Sequence, residues 1–200
     1  MDTSILISNV GFSEMYEWSD VPTQSEKFGK FVQFSLEDPG KIEPYHTVNA
    51  KVIGITTVEG KVVSDDPDYW KGQFYCNEYG DAYLGKDTIA VGVKKYDHVN
   101  EFSFIATEKE EELVPITTEK FDNNAQFVKR SGREEWVKVN LLGKVIVKDD
   151  GTLQSGDWCT PYTGPDKSKF GMAIKAGPKS KNTYYVIERI SDNTILILNK

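Results

Sequence analysis

The sequence predicts a mostly-β fold, a compact antiparallel β-sandwich or barrel-like domain with long loops and few or no helices. Three observations carry this. Val, Ile, Thr, Tyr and Phe gather in short runs, and Gly, Asp, Asn and Pro break those runs at intervals of about ten residues. The one strong helix-forming run, Glu108-Lys109-Glu110-Glu111-Glu112, is too short to sustain a helix and reads as a turn or solvated loop.

Along the chain, residues 1–20 read as an N-terminal arm or first strand, and residues 21–200 as the β domain. Ile5-Leu6-Ile7 stands ahead of the other apolar runs and is either an interface segment or the first core strand. Phe31–Phe34 is a solid apolar strand, stopped by the turn Glu37-Asp38-Pro39-Gly40. Val48–Val58 reads as a strand through Val52, Ile53 and Ile55, which Glu59-Gly60 turns back into Lys61-Val62-Val63. Gln73–Tyr75 and Ala82–Leu84 flank a tight turn at residues 77–81. Thr88–Val93 and Glu101–Thr107 are strands, and the acidic loop that follows places a soft sub-boundary near 108–121. Trp136–Val147 is a strand with Gly143 as a turn or bulge. Asp149-Asp150-Gly151-Thr152 reads as a hairpin turn of the Asp-Gly type. Tyr184–Ile190 and Thr194–Leu198 close the chain as a hairpin around Ser191-Asp192-Asn193.

The 200 residues suit one ordinary domain or two small ones. With 24 Lys+Arg against 31 Asp+Glu, the net charge of -7 argues against a general nucleic-acid binder and against docking on anionic lipid. No run approaches the ~20 apolar residues of a membrane span. Met1–Trp18 carries Asp2, Glu14 and Glu17 without a basic segment, unlike a signal peptide. Two cysteines, Cys76 and Cys159, exclude a disulfide scaffold and read as small reduced core residues.

Most catalytic signatures are missing from the sequence. It has no glycine-rich phosphate loop, no CxxC and no HExxH, and His46 and His98 read as turn histidines. Asp65-Asp66-Pro67-Asp68 is dense enough in carboxylate for calcium but lacks EF-hand spacing, and reads as a solvated acidic turn. No cofactor or metal is expected. Two segments could carry chemistry. In Gly11-Phe12-Ser13-Glu14-Met15-Tyr16-Glu17-Trp18, Glu14 and Glu17 point to opposite faces of a strand, or share a face of a helical turn. A carboxylate packed against Tyr16 or Trp18 could act as general acid or base; the alternative is a solvent-facing edge. Arg130-Ser131-Gly132-Arg133-Glu134-Glu135-Trp136 is either an ion-pair cluster around a buried Trp136 or a charged loop.

Read together, the blocks resemble a known family. Phe12–Asp20 followed by Glu26–Val32 looks like the opening of the peptidase G2 domain, the self-cleaving C-terminal part of phage pre-neck appendage and tail spike proteins. Val52-Ile53-Gly54-Ile55, Tyr69-Trp70-Lys71-Gly72 with Glu78-Tyr79-Gly80, Arg130–Trp136 with Leu141–Val145 and residues 149–152, and the closing Val186–Ile190 segment fit in the same order. The resemblance implies a homotrimeric intramolecular chaperone that cuts itself off after assembly. It places the cut between Val10 and Gly11 and makes Glu14 the catalytic carboxylate, with Glu17 or Asp20 assisting. This chain departs from the pattern there: the family's Ser-Asp pair falls on Val10-Gly11, which offers neither a hydroxyl nor a carboxylate.

That departure, with a start only ten residues ahead of Gly11, leads to the expectation of a phage structural protein. It would be a head, neck or tail decoration or adaptor without protease activity, in the virion and assembled in the host cytoplasm. Its expected partners are further copies in a homotrimer and other virion proteins, with no nucleic acid and no membrane. The interface residues expected are Ile5, Leu6, Ile7, Trp18, Arg130, Arg133, Glu135 and Trp136. Two alternatives stay open: an active self-cleaving chaperone, and a receptor- or glycan-binding module presenting Trp18, Trp70, Trp136 and Trp158.

Overall fold

The computed structural model describes residues 11–200 apart from 59, 61, 71, 97–101, 123 and 125; for residues 62, 87–96 and 102–112 only the backbone is described. The chain forms two compact units, Met1–Pro67 with Val128–Lys200, and the inserted Asp68–Phe127. The described strands are β1 (Gly11–Glu17), β2 (Phe31–Phe34), β3 (Ile42–Pro44), β4 (Gly54–Thr57), β5 (Val62–Ser64), β6 (Leu84–Tyr96), β7 (Phe102–Pro115), β8 (Trp136–Lys148), β9 (Trp158–Pro161), β10 (Ala173–Lys175), β11 (Tyr184–Ser191) and β12 (Thr194–Asn199). Beside them stand two 3-10 turns, Arg130–Gly132 and Lys167–Lys169, and the mostly-β expectation holds.

The first unit is built on a ten-stranded sheet, ordered β10-β9-β11-β12-β8-β4-β2-β3, with β1 joined to β8 and β5. β8 organises it. Residues 138–140 pair with β1 on one edge and β4 on the other, and the C-terminal half, residues 143–148, pairs with β12. At the usual spacing of ~4.8 Å, β10 and β2 would stand nearly 30 Å apart in a flat sheet. Instead the Phe31 amide donates to the Gly171 carbonyl at 2.8 Å, and the Gly171 amide to the Tyr45 carbonyl at 2.9 Å. The sheet therefore curls until its two ends meet, as the barrel-like reading requires. Phe31, Ile55, Val145, Val147, Cys159, Ala173, Val186, Ile195 and Ile197 fill one core from seven strands. A smaller cluster, Trp18, Val32, Ile42, Val137 and Val139, lies beside β1.

A buried ion pair ties the ends of three strands together. The Asp149 carboxylate is fully buried and receives Arg189 Nη2 at 2.5 Å, while Arg189 Nε donates to the Leu153 carbonyl at 2.7 Å. The other Arg189 nitrogen reaches the Ser191 and Asp192 carbonyls in the β11–β12 turn.

In the inserted unit, β6 and β7 form a two-stranded antiparallel hairpin with an irregularity between Val91 and Gly92. At its root, the Tyr83 amide donates to Tyr75, the Tyr75 amide to Ile116 and the Ile116 amide to Tyr83, each at 2.8–2.9 Å. The tight turn at 77–81 is present, with Asn77 Oδ1 accepting the Tyr79 and Asp81 amides.

Several local expectations are corrected. Glu108–Glu112 is strand, because β6 supplies it with a full ladder partner from Asp87 to Val91 and backbone pairing overrides its helix-forming composition. The Val48–Val58 strand shrinks to β4, the Ala50 amide turning back onto the Thr47 carbonyl. β5 does not return along β4 as a hairpin; it runs parallel to β1. Residues 149–152 do turn, with Gly151 at φ 86, but β8 pairs onward with β12 and not with β9. Cys159 is buried as expected, whereas Cys76 is exposed. His98 lies outside the described residues.

Candidate functional site

β1 is the edge on which the expected chemistry converges. Its pairing to β8 and its parallel pairing to β5 hold it extended, so Glu14 and Glu17 take opposite faces. Glu14 accepts the Tyr16 hydroxyl on Oε2 at 2.8 Å and the Ser64 hydroxyl on Oε1 at 3.1 Å. Glu17 points elsewhere, to Lys41 Nζ at 2.9 Å. Asp20 lies beyond the end of β1 and is exposed. The three carboxylates named from sequence are therefore not brought into one catalytic group.

Tyr16 completes the Glu14 side. Its hydroxyl pKa is pushed up to about 12, by burial first, then by the hydrogen bond and charge of Glu14, with a smaller contribution from Asp65. Its ring meets Phe34 edge-on at 5.9 Å. On the inward face, Ser13 and Met15 are buried, and among the described residues the Ser13 hydroxyl and the Trp18 indole N–H have no hydrogen-bond partner.

At Gly11 the backbone is too close to its surroundings for a side chain. A Cβ there would overlap the Asn140 side-chain nitrogen and come within 2.5 Å of the Leu142 carbonyl. Asn140 is itself fixed: its nitrogen donates to the Leu142 carbonyl at 3.2 Å, and its backbone and side-chain oxygens accept from Asn199 Nδ2 at 3.0 and 3.2 Å. Three residues of extended strand put Gly11 about 10 Å from Glu14, on the opposite face. Val10, Ile5, Leu6 and Ile7 lie outside the described residues.

In the 130–136 segment two arginines gather around Trp136, which is half-buried. The Arg130 guanidinium lies 4.1 Å from the Trp136 ring centre, and Arg133 lies 5.4 Å from it. Arg130 is buried, pairs with the Asp65 carboxylate and donates to the Asp65 carbonyl at 2.8 Å. Arg133 pairs with Glu135 at 3.4 Å. Asp65 adopts φ +57, uncommon for a residue other than glycine. Sequence reading missed Ser64, Asp65, Asn140 and Asn199 as partners, since each meets its contact across 50 or more residues of chain. Among the described residues no group of three or more His, Cys, Asp or Glu is arranged to hold a metal. Of the tryptophans considered for glycan stacking, Trp18 is buried, while Trp158 is exposed and meets Tyr185 edge-on at 5.6 Å.

Comparison with known proteins points to one source for this arrangement. Residues 3–176 match the sequence model of Peptidase_G2, described as the IMC autoproteolytic cleavage domain. The preneck appendage protein of Bacillus phage PZA is 30% identical over 120 residues, which is 60% of this chain and 12% of that protein. The pre-neck appendage protein of Bacillus phage phi29 is 30% identical over 107 residues, 53% of this chain and 10% of that protein. The chain thus spans about a tenth of the length of these relatives. Two solved structures share the fold at 21% identity. The C-terminal fragment of bacteriophage phi29 gene product 12 gives a TM-score of 0.60, covering 94% of this chain and 99% of the fragment. The pre-mature gene product 12 gives 0.62, covering 96% of this chain and 21% of that one.

Proposed function

The chain belongs to the Peptidase_G2 family of IMC autoproteolytic cleavage domains, and from that premise we propose that it is a structural part of a phage particle that does not cleave itself. It acts as a head, neck or tail decoration or adaptor, associates as a homotrimer with other virion proteins, and is assembled in the host cytoplasm. One observation carries this reading: Gly11, at the position of the family's Asp, is packed against Asn140 and Leu142 with no room for a reacting side chain. Glu14 stands about 10 Å along the same strand on the other face, so it cannot serve that peptide bond within its own chain while β1 stays paired.

Peptide mass spectrometry of purified particles tests this. The reading expects stoichiometric copies that retain peptides from residues 1–10. A chain absent from particles, or found only as a fragment released into the lysate, would contradict it.

Self-cleavage is the second reading, and the Glu14 pocket favours it. A carboxylate held by two hydroxyls on the outward side of β1 is ordered enough to act on a neighbouring subunit's strand. That route requires a second chain to present its cut site there.

A further inference from the structure

The first unit carries a groove away from β1. Its volume is about 540 Å³, within the ~300–1,000 Å³ of ordinary ligand sites. One wall is the β9–β10 pair, where Ile174 stands opposite Thr160. A second is Tyr45 and Val48, just past β3, and a third is the loop of residues 177–182. The Tyr45 wall is tied to the core, because the Tyr45 amide donates to the Phe31 carbonyl at 2.8 Å. The loop is shaped by its own sequence. Pro178 takes the second position of a tight turn. The Ser180 amide closes it on the Gly177 carbonyl, and the Gly177 amide donates to the Ser180 hydroxyl, each at 3.0 Å. Lys179 and Lys181 stand exposed on this wall.

Val48, Pro161, Ile174 and Pro178 give the groove an apolar surface. Lys175, Lys179 and Lys181 also line it, and no described aspartate or glutamate does. Lys175 is held by Asp157 at 2.9 Å, whereas neither Lys179 nor Lys181 pairs with a described carboxylate. Residues 164–183 hold five lysines against one aspartate, in a chain of net charge -7. The groove is thus a locally positive site on an acidic protein, and a cleft lined by one sign of charge concentrates the opposite sign. The apolar surface narrows the choice, since a bare anion gains nothing from it. Nor is there an open aromatic face for a sugar ring: Tyr45, the aromatic residue in the lining, is 2% exposed.

We propose that this groove binds an extended segment of another protein in which acidic and aliphatic residues alternate. Successive side chains of an extended segment point to opposite sides. Carboxylates would then meet Lys179 and Lys181 while aliphatic side chains cover the apolar surface. The inference rests on the adaptor reading above for the source of that segment, another virion protein, and gives that reading a contact surface.

Fluorescence anisotropy of the full chain tests it with three labelled peptides of equal length: alternating glutamate and valine, alternating glutamate and serine, and alternating lysine and valine. The glutamate–valine peptide is expected to bind, and the other two to bind at least about tenfold more weakly. Lys179→Glu/Lys181→Glu should weaken the glutamate–valine peptide at least about tenfold by like-charge repulsion. Lys120→Glu/Lys144→Glu makes the same change of charge outside the groove and should leave binding within about twofold. Equal binding of the glutamate–serine peptide, or equal loss in both lysine variants, would reduce the site to general charge attraction and overturn the inference. Absence of peptide binding would overturn it too, as would a sulfated oligosaccharide binding where no peptide does. Peptide binding in the expected order, by a chain that is absent from purified particles, would leave the groove standing and overturn the adaptor reading instead.

Discussion

The Gly11 backbone runs against the Asn140 side chain so closely that any β-carbon at position 11 would overlap the amide nitrogen. Asn140 cannot yield freely, because both its oxygens are engaged by Asn199. Position 11 is thus held to glycine for a packing reason. Gly11→Asp should lower stability by about 1–3 kcal/mol, the cost of overpacking a filled site, and should not produce cleavage. Urea denaturation with an intact-mass readout checks both parts.

Asp149 should be one of the costliest single positions in the first unit. Its side chain is fully buried, paired to Arg189, and accepts the Gly151 amide at 3.1 Å. Asp149→Ala leaves the guanidinium and the turn amide without their acceptor. A loss of about 3–5 kcal/mol is expected, read from the shift in denaturation midpoint.

Alkaline pH should destabilise the fold from about pH 9 upward. Tyr16, Cys159 and Tyr184 all have pKa values raised to about 12, burial being the first cause in each. Ordinary values are 9.0 for the thiol and 10.0 for the tyrosines. Groups raised on folding favour the native state fully below their unfolded pKa, and that contribution is lost as pH climbs through the folded value. Stability should therefore fall between about pH 9 and 12, with a shallower fall in Tyr16→Phe. A pH-independent midpoint across that window would contradict the burial of these groups.

Arg130 and Asp65 flank the inserted unit at nearly equal distances, Asp65 three residues before Asp68 and Arg130 three after Phe127. The pair clasps the two chain crossings at the root of the insertion, and Arg130 also covers Trp136. Arg130→Ala should open that root without unfolding the ten-stranded sheet. Limited proteolysis should then cut faster near residues 66–68 and 127–129, while the thermal midpoint of the first unit changes little.

Strands whose identity rests on local composition were legible from sequence. Phe31–Phe34, Trp136–Lys148 and the closing β11–β12 hairpin follow from apolar runs and Asp/Asn/Gly turns, which act within a few residues. Pairings across long stretches of chain were not. The parallel β1–β5 contact that brings Ser64 to Glu14 joins residues 50 apart. The Asp149–Thr152 turn has the right residues for a hairpin, but β12 outcompetes β9 for the edge of β8. Glu108–Glu112 misled because its composition favours helix, while the partner that makes it a strand lies on β6. At the site, Glu14 could be named from sequence, but its separation from Glu17 depended on β1 being extended. The need for glycine at position 11 depended on Asn140, more than a hundred residues away.

The central claim is that this domain is retained whole. Intact-mass measurement of the purified full-length chain after a day at room temperature tests it most directly, with Glu14→Ala in parallel. The account predicts a single uncut species, at its own full-length mass, for each protein. Loss of residues 1–10 from the wild type, abolished by Glu14→Ala, would show that the domain still cleaves itself and would contradict the account.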